Sequence, residues 1–418
     1  MNKSVIKDLI AENQDFIENV VVLPRNISLE SQGNYVFVGM RRAGKTYMMY
    51  RQIHNLLSEG ITVKQILYIN FEDERLSEIA VTHLSDILNS YREMYDYRPV
   101  VFLDEIHLIA GWEKFVRRLA DTGYRVYITG SNAKMLSSEI ATTLGGRFLI
   151  QTVYPYSFIE FLAAQGVQIQ KNMQYGNEAI QLKKIFAAYF YYGGLPEVLR
   201  FEDKRQWINS LYQNIFFGDL VARYEIRNIS ALKIMVKKMA ESVMTPISYS
   251  RLTNIVVSTG IKIGKSTVIE YINHLKESWL VFSVSNFTGK LVEKETNKKY
   301  YFTDNGILNL FLFDPETALL ENLVAKTLNR LYPDQFYYYN YNVEVDFYIP
   351  CVKWAIQVSY SLTDHNTLKR ETAALLKLNR FIPAERLTVI TYDEENTINE
   401  ENTVIEVIPV WKWLLSVF

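Results

Sequence analysis

The chain has 418 residues, 49% apolar and 22% charged, which is too long for one ordinary domain of ~150 residues and too apolar for a disordered polymer. Lys plus Arg number 45 against 46 Asp plus Glu, a net charge of −1, so a whole-chain basic or acidic field is excluded and any nucleic-acid surface must be a local patch. The single cysteine, Cys351, excludes an internal disulfide framework and a cysteine-based zinc site and suits a reducing compartment.

Residues 1–30 read as a helix followed by a loop around Pro24. Their charged, amphipathic start lacks a signal-peptide core, and no uncharged apolar run reaches the ~18 residues of a membrane span. The expectation is a cytoplasmic protein with no membrane segment. Over 31–153, short apolar runs alternate with helical stretches. Strands are expected at 35–38, 65–71, 100–103, 125–129 and 148–151, and helices at 45–58, 76–94 and 113–122. That alternation predicts an α/β unit of βαβ type with a mainly parallel sheet covered on both faces. Residues 154–230 read as amphipathic helix, broken at Tyr191–Pro196. Residues 231–305 form a smaller unit, and 306–418 open with a helix followed by short aromatic and β-branched strands.

Residues 39–46, GMRRAGKT, match the phosphate-loop pattern in full, between an apolar strand and a helical run. Glycines at 39 and 44 let backbone N–H groups face phosphate oxygens without a side-chain clash, and the helix start adds a dipole favourable to anions. Lys45 is the candidate for the β- and γ-phosphates and Thr46 for Mg²⁺. Arg42, Ala43 and Tyr47 fall in the same loop and helix start and count as nucleotide-binding positions with Gly39 and Gly44, although the Arg41 and Arg42 side chains read as solvated. The expected cofactors are therefore ATP and Mg²⁺.

Residues 100–105, VVFLDE, form a buried strand ending in two carboxylates. Asp104 is the metal candidate, and Glu105 the residue that orients or deprotonates the attacking water. The next strand ends in TGSN, which makes Ser131 and Asn132 candidates for sensing the γ-phosphate or positioning water. Arg147, in GGR before the fifth strand, is a candidate for stabilising the transferring phosphate in cis or from a neighbouring subunit, against an alternative surface pairing with an acid. Glu72 and Asp73 follow a strand at the same edge, where capping is an equal explanation.

Taken with YINFEDERL, YITGSNAKML, GGLPEVL and DLVARYEIRN, these segments make the chain resemble the bacterial and archaeal AAA+-like ATPases that carry a C-terminal domain of unknown function. The resemblance implies a P-loop core with an additional strand and sheet order 5-1-4-3-2, a winged helix, and a C-terminal domain with a degenerate restriction-endonuclease-like core. It carries over Gly39, Gly44, Lys45, Thr46, Asp104 and Glu105 as nucleotide-site residues and Arg147 as the arginine at the fifth strand.

The middle unit can also be read from its residues. Ser248 caps a helix over 249–257, and a second helix over 265–278 carries the stripe Val268, Ile269, Ile272 and Leu275. A hairpin around TGKLVEKETN completes a winged helix-turn-helix pattern. Lys262, Lys265, Lys290, Lys294, Lys298 and Lys299 are candidate phosphate contacts to double-stranded DNA, opposed by Glu270, Glu277, Glu293 and Glu295. In the last unit, VEVDF and WAIQVSYS are alternating strands. A restriction-type centre needs a helix acid, a strand acid, and a second strand acid two residues before a lysine. Glu321 and Asp346 fit the first two positions, but Gln357 and Ser359 stand in the other two, and Lys353 lies at the wrong offset. Nuclease activity is not expected. The function expected is Mg²⁺-dependent ATP hydrolysis coupled to rearrangement of the winged-helix and C-terminal units, in a chain able to form oligomers. The alternative is a DNA-binding regulator or defence-linked effector for which ATP is a conformational switch.

Overall fold

A computed structural model describes residues 3–130, 143–169, 173, 175–400 and 403–417. Two compact units divide the chain, Met1–Tyr154 and Pro155–Phe418.

The first unit is built on five parallel strands: β1 (Asn34–Val38), β2 (Ile66–Asn70), β3 (Val100–Asp104), β4 (Val126–Gly130) and β5 (Phe148–Thr152). Their order is β2-β3-β4-β1-β5, which is the expected order read from the other edge. The three inner strands, β3, β4 and β1, are almost wholly buried, as strands covered on both faces must be. Tyr35, Phe37, Phe102 and Tyr127 stack across those strands with centroids 4.6–6.2 Å apart, a large apolar payload at the sheet centre. Helix α1 (Lys3–Asn19) buries Ile6, Leu9, Ile10 and Ile17. Helix α2 (Lys45–Ser58) buries Met48, Met49, Ile53 and Leu56 at helical spacing.

The expected helix over 76–94 is shorter. Only Leu84–Met94 (α3) is α-helical, preceded by single turns at Glu74–Leu76 and Val81–His83. Leu76 and Ile79 are buried and mimic a helical stripe, but Asp73 caps the first turn by accepting from the Arg75 amide, and Val81 and Thr82 favour non-helical backbone. Helix α4 (Trp112–Asp121) agrees with expectation within a residue.

The second unit opens with helices α5 (Phe158–Ala164), α6 (Gly176–Tyr192) and α7 (Lys204–Asn214), followed by α8 (Ile229–Glu241). The break at Tyr191–Pro196 has a specific cause. Gly193 has φ 77, and a Cβ there would meet Asp304 Oδ1 at 2.0 Å; the Gly194 amide donates to Asp304 Oδ2 at 2.8 Å. Helices α9 (Tyr249–Ser258) and α10 (Lys265–Glu277) pack with a three-stranded sheet of order β6-β8-β7, formed by Ile247–Ser248, Asn297–Phe302 and Val281–Val284. Ser248 caps α9 by accepting from the Arg251 amide at 3.2 Å. The expected loop between β7 and β8 contains a short helix, α11 (Leu291–Thr296).

The chain then passes through α12 (Asn305–Leu308) and α13 (Glu316–Leu331) into a six-stranded sheet of order β13-β14-β12-β11-β10-β9. Its strands are β9 (Tyr337–Asn340), β10 (Glu344–Ile349), β11 (Trp354–Val358), β12 (Arg386–Thr391), β13 (Asn396–Glu400) and β14 (Thr403–Pro409), with α14 (His365–Phe381) between β11 and β12 and α15 (Val410–Ser416) last. Strands β11, β12 and β14 are parallel, while β10 and β13 run against their neighbours.

Candidate nucleotide site and a second carboxylate centre

The loop between β1 and α2 takes the backbone that its glycines permit. Gly39 has φ 146, and a Cβ on it would meet Val153 O at 2.2 Å. Gly44 has φ 97. Arg42, although not glycine, has φ 63, a left-handed conformation costing ~1–2 kcal/mol that a stable loop must offset. The buried Lys45 folds back over the loop: its Nζ donates to Gly39 O and Met40 O, each at 3.3 Å, and lies 3.9 Å from Glu105 Oε1. Tyr47 is half-exposed and packs edge-on against Tyr50.

Strand β3 delivers the carboxylates beside this loop. Asp104 is 1% exposed. Its Oδ2 accepts from the Tyr68 hydroxyl at 2.7 Å and its Oδ1 from the Thr129 hydroxyl, and Thr46 also hydrogen-bonds to it. Burial pushes the Asp104 carboxyl up; the Thr129 bond opposes this, the Glu105 charge adds to it, and the Tyr68 and Thr46 bonds hold it down. Glu105 leaves the strand with φ 53, its amide donating to Thr129 Oγ1 at 2.8 Å. A buried carboxylate touching the loop threonine is an oxygen donor set of the kind Mg²⁺ takes, so Thr46 and Asp104 fit the expected metal.

Sequence order concealed three contributors. Tyr68 and Thr129 lie on β2 and β4, the strands flanking β3, so only the sheet order brings them to Asp104. Arg25, 7% exposed, donates to Ala43 O at 3.3 Å and to Tyr154 O at 2.6 Å, tying the loop to the last residue of the unit. Its neighbour Pro24 marked a turn and hid that role. Ser131 and Asn132 lie outside the described residues. Asp73 is a cap, and the Glu72 amide donates to the Asn70 side chain.

Of the alternatives for Arg147, the structure shows the surface pairing with an acid. Arg147 precedes β5, whose first residue pairs with Asn34 at the start of β1. In a parallel sheet that is the end opposite Gly39, so contact with the phosphate loop of its own chain is not made. Its guanidinium pairs with Asp121 and donates to Gly145 O.

In the second unit, Glu321 from α13 and Asp346 from β10 do come together, and a lysine joins them. Lys299, on β8 and 0% exposed, has Nζ 3.3 Å from Glu321, 3.5 Å from Asp346 and 3.6 Å from Glu344. The Tyr301 hydroxyl donates to Glu321 at 2.7 Å, and Asp346 Oδ2 accepts from the Val358 amide at 2.9 Å. Lys299 therefore has no DNA-facing position, contrary to expectation. Gln357 bridges the Asp346 amide and Glu371, each at 2.8 Å, Ser359 bonds Ser361 O, and Lys353 pairs with exposed Glu385. Burial pushes the Glu321 carboxyl up to about 7 against the pull of Lys299. The three acids hold the Lys299 ammonium charged beyond its ordinary range, despite its burial. Among the described residues, no group of three or more His, Cys, Asp or Glu is placed to hold a metal ion.

Residues 31–162 match a family described as an AAA domain, and residues 183–317 match a domain of unknown function. The chain is 31% identical over 430 residues to an uncharacterised protein of Methanocaldococcus jannaschii, covering 99% of this chain and 96% of that one. An uncharacterised protein of Haemophilus influenzae is 30% identical over 278 residues, covering 65% and 67%. Among solved structures, a Walker-type ATPase of Pyrococcus abyssi is similar, with TM-score 0.43 and 13% identity over 73% of this chain and 94% of that one.

Proposed function

The chain belongs to the family of the Methanocaldococcus protein and carries an AAA domain, and from that premise we propose that it binds ATP with Mg²⁺ and hydrolyses it. One observation carries the reading: Asp104, held by hydroxyls from Thr46, Tyr68 and Thr129, lies beside a phosphate loop whose Lys45 donates to the Gly39 and Met40 carbonyls and lies 3.9 Å from Glu105.

The loop amides and Lys45 bind the β- and γ-phosphates, with Lys45 exchanging its carbonyl contacts for phosphate oxygens. Thr46 and Asp104 would hold Mg²⁺, which supplies charge screening to the phosphates. Glu105 orients a water and accepts its proton as the water oxygen bonds to the γ-phosphorus. The bond to the β-phosphate oxygen breaks, and ADP and phosphate leave. Arg147, placed away from its own loop and part-exposed, is read as acting on a neighbouring subunit. Nucleotide state would be coupled to the second unit through Arg25, which grips both Ala43 and Tyr154.

We read the C-terminal sheet as a binding or docking element that does not cleave nucleic acid, because Lys299 occupies the space between the acids. A second reading, duplex-DNA contact by a winged helix formed from α9, α10 and the β7–β8 pair, is favoured by part-exposed or exposed Lys262, Lys265 and Lys290. A salt titration discriminates: DNA affinity absent at low salt, or indifferent to replacing Lys265 and Lys290, removes it.

The test of the main reading is ATP turnover and binding by the intact chain and by Lys45→Ala and Glu105→Gln. Glu105→Gln should keep binding and lose hydrolysis. Equal turnover by all three sinks the assignment.

A further inference from the structure

The residue after the carboxylate pair and one apolar position is a histidine, and the backbone returns it to the site. Glu105 takes a left-handed conformation, and Ile106–Leu108 form a single tight turn with Ile106 fully buried. The turn brings His107 Nδ1 to 3.1 Å from Glu105 Oε2, with the two side chains 16% and 13% exposed. Lys45 Nζ approaches the other oxygen, Oε1, at 3.9 Å. The Glu105 carboxylate therefore stands between a lysine and an imidazole.

The two contacts differ in kind. Lys45 has phosphate as its proposed partner and will leave Glu105 when nucleotide arrives. His107 lies in the turn after β3, outside the phosphate loop of residues 39–46. Its Nδ1 is shielded from solvent and near Glu105, yet off line, so it makes no aligned hydrogen bond. A buried polar atom in that condition leaves its desolvation uncompensated, and a small rotation of the Glu105 carboxylate would supply the missing bond. Departure of Lys45 removes one contact that opposes that rotation.

Resting on the ATPase reading above, we propose that His107 is a positioning residue for Glu105: it takes Oε2 as Lys45 moves to the phosphates and so leaves Oε1 aimed at the attacking water. The tautomer required carries its proton on Nδ1. No proton passes from His107 to water or phosphate in this role; its effect runs through the direction of one carboxylate. Misplacing a catalytic group by ~1 Å costs on the order of 100-fold, which sets the scale expected.

The experiment measures phosphate release from ATP, and affinity for a fluorescent ATP analogue, with the intact chain and with His107→Ala, His107→Asn and Glu105→Gln. Asn keeps an N–H donor at the branch where Nδ1 sits. His107→Ala should lower kcat by roughly 10- to 100-fold with KM and analogue affinity within about threefold, and His107→Asn should restore most of kcat. A His107→Ala protein with unchanged kcat overturns the proposal. So does equal loss in Ala and Asn with normal thermal unfolding, which would mean that the ring packs rather than donates. If the unaltered chain releases no more phosphate than Glu105→Gln, the ATPase reading itself falls. Turnover that depends on Glu105 but ignores His107 removes this inference alone.

Discussion

Two buried carboxylate centres, one in each unit, use the same groups to opposite ends. At the phosphate loop, hydroxyls from Thr46, Tyr68 and Thr129 satisfy Asp104, and the lysine rests on carbonyls it can exchange for a ligand. In the C-terminal unit the lysine is itself the occupant: Lys299 is enclosed and set among Glu321, Asp346 and Glu344. The difference lies in where each lysine is attached. Lys45 begins a helix directly after a glycine loop, where its charge and the helix start together suit an arriving anion. Lys299 projects from the middle of a strand into a packed interior, where its charge neutralises the protein's own acids. A lysine beside acids is a working site only when an approaching ligand can take one partner away.

The largest effect should separate the centres by activity. Lys45→Ala should reduce ATP turnover by at least about 100-fold while leaving thermal unfolding of the ligand-free chain little changed, because the loop conformation is set by Gly39, Arg42 and Gly44. If Lys45→Ala unfolds the chain instead, Lys45 is structural and the contrast with Lys299 disappears.

Lys299→Met should do the reverse. Removing the ammonium leaves buried Glu321 and part-buried Asp346 without their shared cation, and breaking a buried pair by deleting one partner costs ~3–5 kcal/mol. Denaturant unfolding should show that loss, with ATP turnover per folded molecule retained. Adding Glu321→Gln should recover part of it, since removing both charges is far less costly than removing one. Mn²⁺ should raise the melting temperature of Lys299→Met, which has acids without a cation. A Mn²⁺ effect on the unaltered chain that Asp346→Asn abolishes would show the centre to be a metal site and sink the comparison.

How much of this was legible follows from where the information sits. The phosphate loop is contiguous, and its glycines, Lys45 and Thr46 announce one another. Asp104 and Glu105 end an apolar run and could be read as well. Tyr68 and Thr129 could not, because each comes from a flanking strand and only the order β2-β3-β4 makes them neighbours of Asp104. The alternatives for Arg147 stay open in the sequence for the same kind of reason: register with Asn34, not distance along the chain, sets which end of the sheet it occupies. Lys299 carried a usable signal. In Asn297–Phe302 it shares a strand face with Tyr301, two residues on, and Tyr301 is a core residue bonded to Glu321. Alternation therefore placed Lys299 inward, and its neighbour Lys298 beside exposed Glu295. Reading both as a basic patch ignored that period.

A smaller effect tests the filled centre by pH. The folded-state value of Glu321 is raised from 4.5 to about 7, with burial the first cause and Lys299 opposing it. The folded chain thus holds this proton more tightly than the unfolded chain. Its contribution to stability is fully present below 4.5 and is lost as pH rises through about 7. Lys299 is raised as well, so its contribution holds below its ordinary 10.5 and is lost only at higher pH. Between 4.5 and 7 the Glu321 slope should dominate this centre. Urea unfolding of Glu321→Gln across that window should show a flatter decline than the unaltered chain, and identical slopes would remove Glu321 from the account.

The smallest effect tests the open centre at its edge. Arg25 spans from Ala43 O to Tyr154 O as a fork, and a lysine carries the charge but cannot hold both carbonyls in one plane. Arg25→Lys should lower unfolding stability by ~1–2 kcal/mol through one weakened charged hydrogen bond and weaken nucleotide binding a few-fold, because the Ala43 peptide belongs to the phosphate loop. Glu105 and His107 are untouched, so kcat at saturating ATP should stay near that of the unaltered chain while KM rises. Coupling adds a second readout. If Arg25 links the loop to the end of the first unit, nucleotide should protect backbone amides near Tyr154 from hydrogen exchange in the unaltered chain, and less so in Arg25→Lys. Equal protection in both would leave Arg25 as a packing residue and place the route between nucleotide and the rest of the chain elsewhere.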